Sequence, residues 1–319
     1  SKAKPERVVS LTAGPVKCPE ERYARQCCFL LREKTQIDIR IGTSFISAAQ
    51  SLRSLDEEVG RERFEDVLSS SRQAWRAHLS HVEVADAGAV TASTFRRLEI
   101  FYSSLYRVLL FPRRLDENTP DGRRHFSPYD GKVHDGPGVT DNGFWDTFRT
   151  VYPLLALAYP VQLGEILEGW LNAYRAGGWL PKWASPGYRD SMVGTFADVV
   201  FSDAILKNIS GFDYAVAWEA LKKDAFQSST DKKDTARGKF GLQHYVEQGY
   251  VPIDVKVGEA CSRTLDFAFA DAASAQAALR LGHVEDAATL RDRSMRALTS
   301  LYNKREHLMG HRRKDGSFQ

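Results

Sequence analysis

The chain has 319 residues, of which 43% are hydrophobic and 27% are charged, a composition typical of globular proteins. Its 44 basic and 41 acidic residues are interspersed and leave a formal net charge of +3, which indicates neither nucleic acid nor an anionic membrane as a partner. No apolar run reaches the roughly 18 to 20 residues that a membrane span needs, so no membrane association is expected.

The chain begins with SKAKPERVV, without an initiator methionine or a signal-peptide pattern, and we interpret it as an excised or mature piece. Its four cysteines lack the spacing of a metal site. Free buried thiols are one interpretation. A disulfide from Cys18 to Cys27 or Cys28 is the alternative, and it would favour a secreted origin.

Strand signals are confined to the first 50 residues, in VVSLTA, RQCCFLLRE and TQIDIRIGTSFIS. In the third segment, isoleucines alternate with Asp38, Arg40 and Gly42. Three strands make a poor domain alone, so we interpret residues 1–52 as the last strands of a β-sandwich.

After Ala49 the hydrophobic period becomes helical. We assign residues 53–92 to a linker region with an amphipathic helix over 61–80, and residues 93–319 to a helical domain that begins with a helix over 94–110. The stretch from Phe111 to Asn142 is predicted to be irregular and, because loops of that length are uncommon, to line a site.

Beyond Trp145 the sequence is nearly all helical. Helices are predicted at 146–158, 160–176, 191–209, 213–227, 259–281 and 284–302. The polar residues 228–243 are predicted to be a mobile surface insertion. Serial helical hairpins indicate a solenoid, a bundle or a closed toroid. Long loops before alternate helices favour the toroid, with these loops on one rim.

Three loop segments on this predicted rim combine aromatic rings with carboxylates. They are HFSPYDGKVHDGPGVTDNGFWD, GGWLPKWASPGYRDSM and EQGYVPIDVKVGEACSRT. Sugars present hydroxyls and apolar C–H faces, and they are bound by such side chains. The candidate residues are Tyr129, Asp130, His134, Asp141, Trp145, Asp146, Trp179, Lys182, Trp183, Tyr188, Arg189, Asp190, Tyr250 and Asp254.

Structural roles are the alternatives for several of these residues. Asp146 directly precedes a helical pattern and has the chemistry of an N-cap, and Trp183 has that of a packing residue. His134 has no second histidine at a useful spacing, so no metal ligand is assigned.

The order of three longer motifs carries a family resemblance: YDGKVHDGPGVTDNGFWDTFRTVYPLLAL, GWLPKWASPGYRDSMVGTFADVVFSDAI and GYVPIDVKVGEACSRTLDFAFADAASAQAALRLG. From about residue 35 onward the chain resembles glycoside hydrolase family 92. The resemblance implies a calcium-dependent, inverting exo-α-mannosidase, built as a β-sandwich followed by an (α/α)6 barrel. The fold class expected here is therefore mainly α, a partial (α/α)6 toroid preceded by sandwich strands.

By position, Asp146 matches the aspartate of the family's W-D-T motif, which binds mannose hydroxyls, and Trp183 matches the tryptophan of L-P-x-W in the same subsite. Trp145, Arg189, Asp190 and His134 complete the expected substrate-binding set.

The chain departs from the family where GYRDSM replaces the N-E-T that follows L-P-x-W in many members. Arg189 and Lys182 would then favour an anionic group such as a mannosyl phosphate. Pairing of these cations with Asp190 or Asp198 is the alternative.

The family's general acid lies in an E-G-N-A-W-like motif and its base in a G-D-E-D-like motif, both beyond the KDGSFQ that ends this sequence, as do most calcium ligands. An inverting reaction needs two carboxyl groups roughly 6.5 to 9.5 Å apart. No catalytic residue is assigned to Asp190, Asp254 or Glu259, and the chain alone is expected to be inactive.

The resemblance also implies a mannose-containing glycan as partner, whether N-glycan, mannan or mannosyl phosphate, and a secreted or periplasmic location. Two other functions stay open on the sequence alone. One is a catalytically silent glycan-binding or structural remnant, and the other is a different inverting (α/α)6 glycosidase, such as a relative of glucosidases or trehalases.

Overall fold

The structure of the chain is a computed structural model that describes residues 39–84, 91–229 and 234–319. The predicted strands VVSLTA and RQCCFLLRE, and Cys18, Cys27 and Cys28, lie outside these residues. Residues 39–47, the described end of the third predicted strand, do not form a strand among the described residues, and Ile39 and Ile41 are both 76% exposed.

Three helices open the described chain: α1 (Ala48–Glu58), α2 (Phe64–Leu79) and α3 (Ala92–Val108). They confirm the change of period after Ala49 and the two helices predicted over 61–80 and 94–110. Hydroxyl caps set two of the starts, since Ser47 accepts a hydrogen bond from the Gln50 amide at 3.0 Å and Thr91 accepts one from the Thr94 amide at 3.2 Å.

The stretch predicted to be irregular instead forms small antiparallel sheets. Its strands are β1 (Arg113–Arg114), β2 (Asp116–Thr119), β3 (Gly122–Phe126), β4 (Val133–Asp135), β5 (Val139–Thr140) and β6 (Asn142–Gly143). β2, β3 and β4 form a meander, and β1 pairs with β5. The pattern was missed because DENT and GRRHF lack the apolar alternation of a half-buried strand, and Arg114 and Arg123 instead hold the buried Asp116.

Helices dominate the rest of the described chain. They are α4 (Phe144–Thr147), α5 (Val151–Ala158), α6 (Pro160–Gly177), α7 (Phe196–Leu206), α8 (Tyr214–Phe226), α9 (Leu242–Gln248), α10 (Ala260–Arg280) and α11 (Val284–Leu301). Short strands β7 (Trp183–Ala184), β8 (Tyr302–Asn303) and β9 (Leu308–Met309) lie between or after them.

Two boundaries differ from the sequence-based expectation. The helix predicted over 146–158 is interrupted before α5, because Thr150 has a non-helical φ of −139°. The helix predicted from 191 begins only at Phe196, since Met192 and Gly194 have φ values of 52° and 85°.

The helices form hairpins, α5 with α6, α7 with α8 and α10 with α11, whose two ends differ. At one end the turns are short, at Tyr159, 207–213 and 281–283. These turns meet, because Arg280 donates to the Asn208 side chain at 2.7 Å and Gly164 lies directly against Ser210. The opposite end carries the long connections 178–195, 227–241 and 249–259. The predicted mainly helical fold class and the asymmetry of its rims are confirmed, whereas the predicted sandwich strands within 1–38 lie outside the described residues.

The largest core cluster lies among α5, α6, α7 and α8. Phe144 stacks on Tyr152 with ring centroids 5.6 Å apart, and the Trp170 indole donates to the Tyr152 hydroxyl at 3.0 Å. Burial of each such side chain contributes about 1.5 to 3 kcal/mol. Phe144 therefore anchors the start of α4 in the core. No helix among the described residues is both long and apolar enough to cross a membrane.

The prediction of a mobile insertion over 228–243 is wrong for residues 234–241. Lys239 is fully buried, and α9 begins at Leu242. The polar composition of this segment predicted exposure, but the Lys239 ammonium is neutralised inside the protein by carboxylates of other helices.

Candidate functional site

The two segments that carry the candidate residues meet in a two-stranded ladder. β6 pairs antiparallel with β7, with Gly143 opposite Trp183. The Trp183 ring lies flat on Gly143, where a Cβ atom would be only 2.5 Å from Cη2 of the indole. Because α4 begins at Phe144, its first turn is held beside Trp183.

Asp146 lies in the first turn of α4 and is exposed. The N-cap of this helix is Gly143, and no side chain caps it, so the N-cap role considered for Asp146 is wrong. In the part of the chain that the structure describes, the Asp146 carboxylate has no hydrogen-bond or ion-pair partner, so all of its oxygens are open to a ligand.

Trp145 is half-buried, and its indole is covered by the neighbouring Arg149. The guanidinium carbon lies 4.5 Å from the Trp145 ring centroid and 4.6 Å from that of Phe148, and the same group donates to the Trp145 carbonyl. This cation–π packing orients both residues at the end of the helix hairpins that carries the long connections.

Asp266 on α10 joins this group, and sequence reasoning missed it. Its carboxylate lies against Gly194, where Oδ2 would be 3.1 Å from an added Cβ, and it makes no hydrogen bond to any described residue. Burial raises its pKa to about 6, against the attraction of Arg149 and Arg263. The available signal was an aspartate within the otherwise apolar LDFAFA.

Arg189 and Asp190 follow Trp183 in a tight turn and are both exposed. The Arg189 amide donates to the Trp183 carbonyl at 3.0 Å, and its guanidinium Nε donates to the Ser185 carbonyl at 3.0 Å. Among the described residues Arg189 forms no ion pair with Asp190 or Asp198, and Asp198 is buried against Lys239, so the pairing alternative is wrong for Arg189.

Lys182 points away from solvent. It is 4% exposed, its ammonium donates to the Thr235 carbonyl, and burial lowers its pKa to about 8. The neighbouring Tyr188 is fixed to the same loop, since its hydroxyl donates to the Trp179 carbonyl at 2.8 Å and accepts from the Trp179 amide at 3.1 Å. Only Arg189 of the two predicted anion-binding cations is thus open to a ligand.

His134 lies apart from the Trp183 ladder, on β4. Its Nε2 is 2.8 Å from Asp130 Oδ2, and its ring lies 5.9 Å from that of His125. No contact of His134 reaches Asp146 or Trp183. Within the described ranges, no three histidine, cysteine, aspartate or glutamate side chains gather as metal ligands would.

The third rim segment is held by the end of the chain. The Tyr250 hydroxyl donates to the Arg313 carbonyl at 2.9 Å, and Asp254 accepts from the Lys314 amide at 2.9 Å. Glu259 pairs with Arg263 at 3.2 Å. Two of the candidate rim carboxylates are therefore engaged within the protein.

The sequence profile of the glycosyl hydrolase family 92 catalytic domain matches residues 50–319. The chain belongs to glycoside hydrolase family 92. The resemblance carried by the W-D-T and L-P-x-W motifs is thereby confirmed, and in the family 92 chain the residues directly before W-D-T pair with the end of L-P-x-W. Comparison with curated proteins finds no match.

Two mannosidases of Bacteroides thetaiotaomicron are similar to this family 92 chain. The inverting mannosidase BT2199 from strain VPI-5482 superposes with a TM-score of 0.80 and 35% identity, over 86% of this chain and 36% of that one. The α-mannosidase BT3965 gives a TM-score of 0.72 and 26% identity, over 86% of this chain and 35% of that one. BT3965 also has a structure with mannoimidazole, and its TM-score and identity are the same.

The family 92 chain spans about a third of the length of these mannosidases. Each of the two mannosidases nevertheless aligns with 86% of this chain. The candidate site therefore lies in a fold that this chain shares with them.

Proposed function

We propose that this chain is the mannose-binding part of a family 92 α-mannosidase that hydrolyses terminal α-mannosides with inversion. Family membership and the likeness to an inverting mannosidase support the reaction class. The observation that carries the proposal is the unpartnered Asp146 carboxylate in α4, the helix that begins directly after Gly143, on which the Trp183 indole lies.

Each of the two side chains has a distinct task in this proposal. The Trp183 ring, seated on Gly143, offers an apolar face for the C–H face of the sugar. The Asp146 carboxylate accepts hydrogen bonds from sugar hydroxyls, and charge-assisted bonds of this kind are the stronger ones. Trp145 and Arg149 keep the first turn of α4 in place.

Calcium belongs to the proposal because family 92 membership implies it, and the proposal assigns most of its ligands to residues other than those described. No acid or base is assigned within the chain. We therefore propose that the 319-residue chain binds the sugar without hydrolysing the glycoside. Extracellular or periplasmic mannose-containing glycans are the proposed substrates.

Titration of the chain with mannoimidazole, followed by calorimetry, tests the site. We expect binding that Asp146→Asn and Trp183→Ala each weaken about tenfold or more, a loss of roughly 1.4 kcal/mol. Asp203→Asn, which removes a surface ion pair with Lys207, is the matched control and should bind as the parent chain does. Equal binding by all four proteins would overturn the site assignment.

Hydrolysis assays separate the alternatives. The chain and a form extended to the length of its relatives are incubated with aryl α-mannosides and α-glucosides, with calcium and with a chelator. Mannose release by the extended form alone, lost on chelation, is the expected result. Cleavage of α-glucosides would indicate another glycosidase, and binding without cleavage by the extended form would indicate a silent glycan-binding protein.

A further inference from the structure

A buried lysine ties the segment 234–241 to three helices. The Lys239 ammonium lies 3.0 Å from Asp198 Oδ2 on α7 and 3.7 Å from Asp271 Oδ1 on α10, and it donates to the Asp224 carbonyl on α8 at 3.2 Å. Lys239 and both carboxylates are fully buried. An ammonium in the interior is stable only with such partners, so this residue fixes the segment firmly.

The partners of Lys239 are themselves held. The Thr195 hydroxyl donates to Asp198 Oδ2 at 2.6 Å. Asp271 Oδ2 accepts from the Tyr245 hydroxyl at 2.9 Å and from Arg293 Nε at 2.6 Å. Two cations therefore face two carboxylates, and the cluster is rigid because each member has several partners.

From this anchor the chain runs back along the loop that carries Trp183. The Trp179 ring lies on Gly238, where an added Cβ would be 2.8 Å from Cζ3 of the indole. Arg237 forms an antiparallel backbone bridge with Pro181. One residue before Trp183, the Lys182 ammonium donates to the Thr235 carbonyl. The segment 235–238 therefore contacts the loop at three positions between Trp179 and Lys182.

Trp183 is consequently held from two sides. Gly143 supports its ring on the side of α4, and the segment 234–239 supports the residues just before it. β7 is only two residues long, and its ladder with β6 fixes little backbone alone.

We propose that residues 234–239 form a brace that sets the position of Trp183, and that Lys239 is the positioning residue that anchors this brace. The assignment rests on the proposed function, in which Trp183 binds the sugar. It adds to that function a buried charged residue, 56 positions further along the chain, on which the geometry of the sugar platform depends.

Lys182→Met tests the link between brace and loop without disturbing the anchor. Hydrogen exchange in peptides covering 179–184 should become at least several-fold faster, and mannoimidazole affinity should fall about tenfold, since a displaced Trp183 ring loses apolar contact with the sugar. Lys222→Met, which removes an exposed pair with Asp286, is the matched control and should change neither quantity. If hydrogen exchange over 179–184 in Lys182→Met were as slow as in the parent chain, the proposed brace would be contradicted.

Lys239→Met tests the anchor. Exchange should accelerate in both 234–241 and 179–184 but not in α6. If this variant is not recovered folded, Gly238→Ala, which displaces the Trp179 ring, tests the same support and should also accelerate exchange over 179–184. Acceleration confined to 234–241 would contradict the proposal. Exchange needs no ligand, so a failure of mannoimidazole binding in the parent chain would count against the proposed function alone.

Discussion

The Trp183 indole packs directly against the backbone of Gly143. Gly143 has an ordinary backbone conformation, with φ −101°, so a side chain there is excluded by the indole alone. Placement of a methyl group 2.5 Å from Cη2 forces the ring to move. The glycine is therefore required by its neighbour rather than by the turn.

Gly143→Ala should destabilise the fold by about 1 to 3 kcal/mol, the usual effect of overpacking, and shift the tryptophan emission maximum. Chemical denaturation and fluorescence measure the two effects. Gly258→Ala is the control, because an added Cβ there meets nothing within 4 Å. Equal stability of the two variants would show that Trp183 is not seated as described.

The carboxyl group of Asp266 makes the stability of the fold decrease as the pH rises. Its pKa rises from 3.8 in the unfolded chain to about 6 in the fold, so the folded state binds its proton more tightly. The stability it contributes is full below pH 3.8 and is lost as the pH rises through about 6.

Asp266→Asn should therefore reduce the fall in melting temperature between pH 5 and pH 7.5. Thermal unfolding at both pH values measures the difference. Asp292→Asn, an exposed position on α11, serves as the control and should leave the fall unchanged. A fall as large in Asp266→Asn as in the parent would argue against a desolvated carboxyl at this position.

At the scale of elements, the hairpins are joined by a buried cluster of charges as well as by apolar packing. Burial and the nearby Asp198 raise the pKa of Asp224 well above its usual range. Burial alone would lower the pKa of Lys239, but Asp198 and Asp271 raise it. Lys239 and Arg293 each lie beside a carboxylate of Asp198 or Asp271.

Arg293→Met should cost about 3 to 5 kcal/mol, because it leaves Asp271 with a buried and partly uncompensated charge. The free energy of unfolding in urea measures this. Lys222→Met removes an exposed ion pair between α8 and α11 and should cost less than about 1 kcal/mol. Similar losses in the two variants would mean that the buried cluster is structurally dispensable.

At the scale of the whole molecule, stability is unevenly distributed. No residue of α2 is buried, and α1 buries only Gln50, whereas α10 buries residues along its whole length. Amide hydrogens of α1 and α2 should therefore exchange faster than those of α10, since local opening there exposes little apolar surface. Hydrogen exchange with mass spectrometry checks this, and equal protection of α2 and α10 would contradict it.

Sequence alone predicted the helices well, because their apolar faces repeat over several turns. It placed α6, α8, α10 and α11 within a few residues, and it gave the asymmetry of the rims. It missed the strands of 113–143, whose stability depends on pairing with one another and on ion pairs such as Arg123 with Asp116.

The candidate site was predictable only in part. The motifs around Asp146 and Trp183 identified the two segments, whereas the seat of the indole on Gly143 depends on a two-residue ladder that no periodicity marks. The burial of Lys239 could not be read from 228–243, because its partners come from three helices distant in sequence. Asp266 was missed because its burial depends on Gly194, in the loop before α7, which is distant in sequence.

The two ends of the helix hairpins differ in how well they tolerate an inserted residue. Where Tyr159 alone joins α5 to α6, an inserted residue would rotate one helix against the other and expose its apolar face. Where 178–195 crosses the opposite end, the same insertion lengthens a loop and leaves the helices in register. Selection can therefore remodel ligand recognition at one end of this protein while the other end holds the architecture constant.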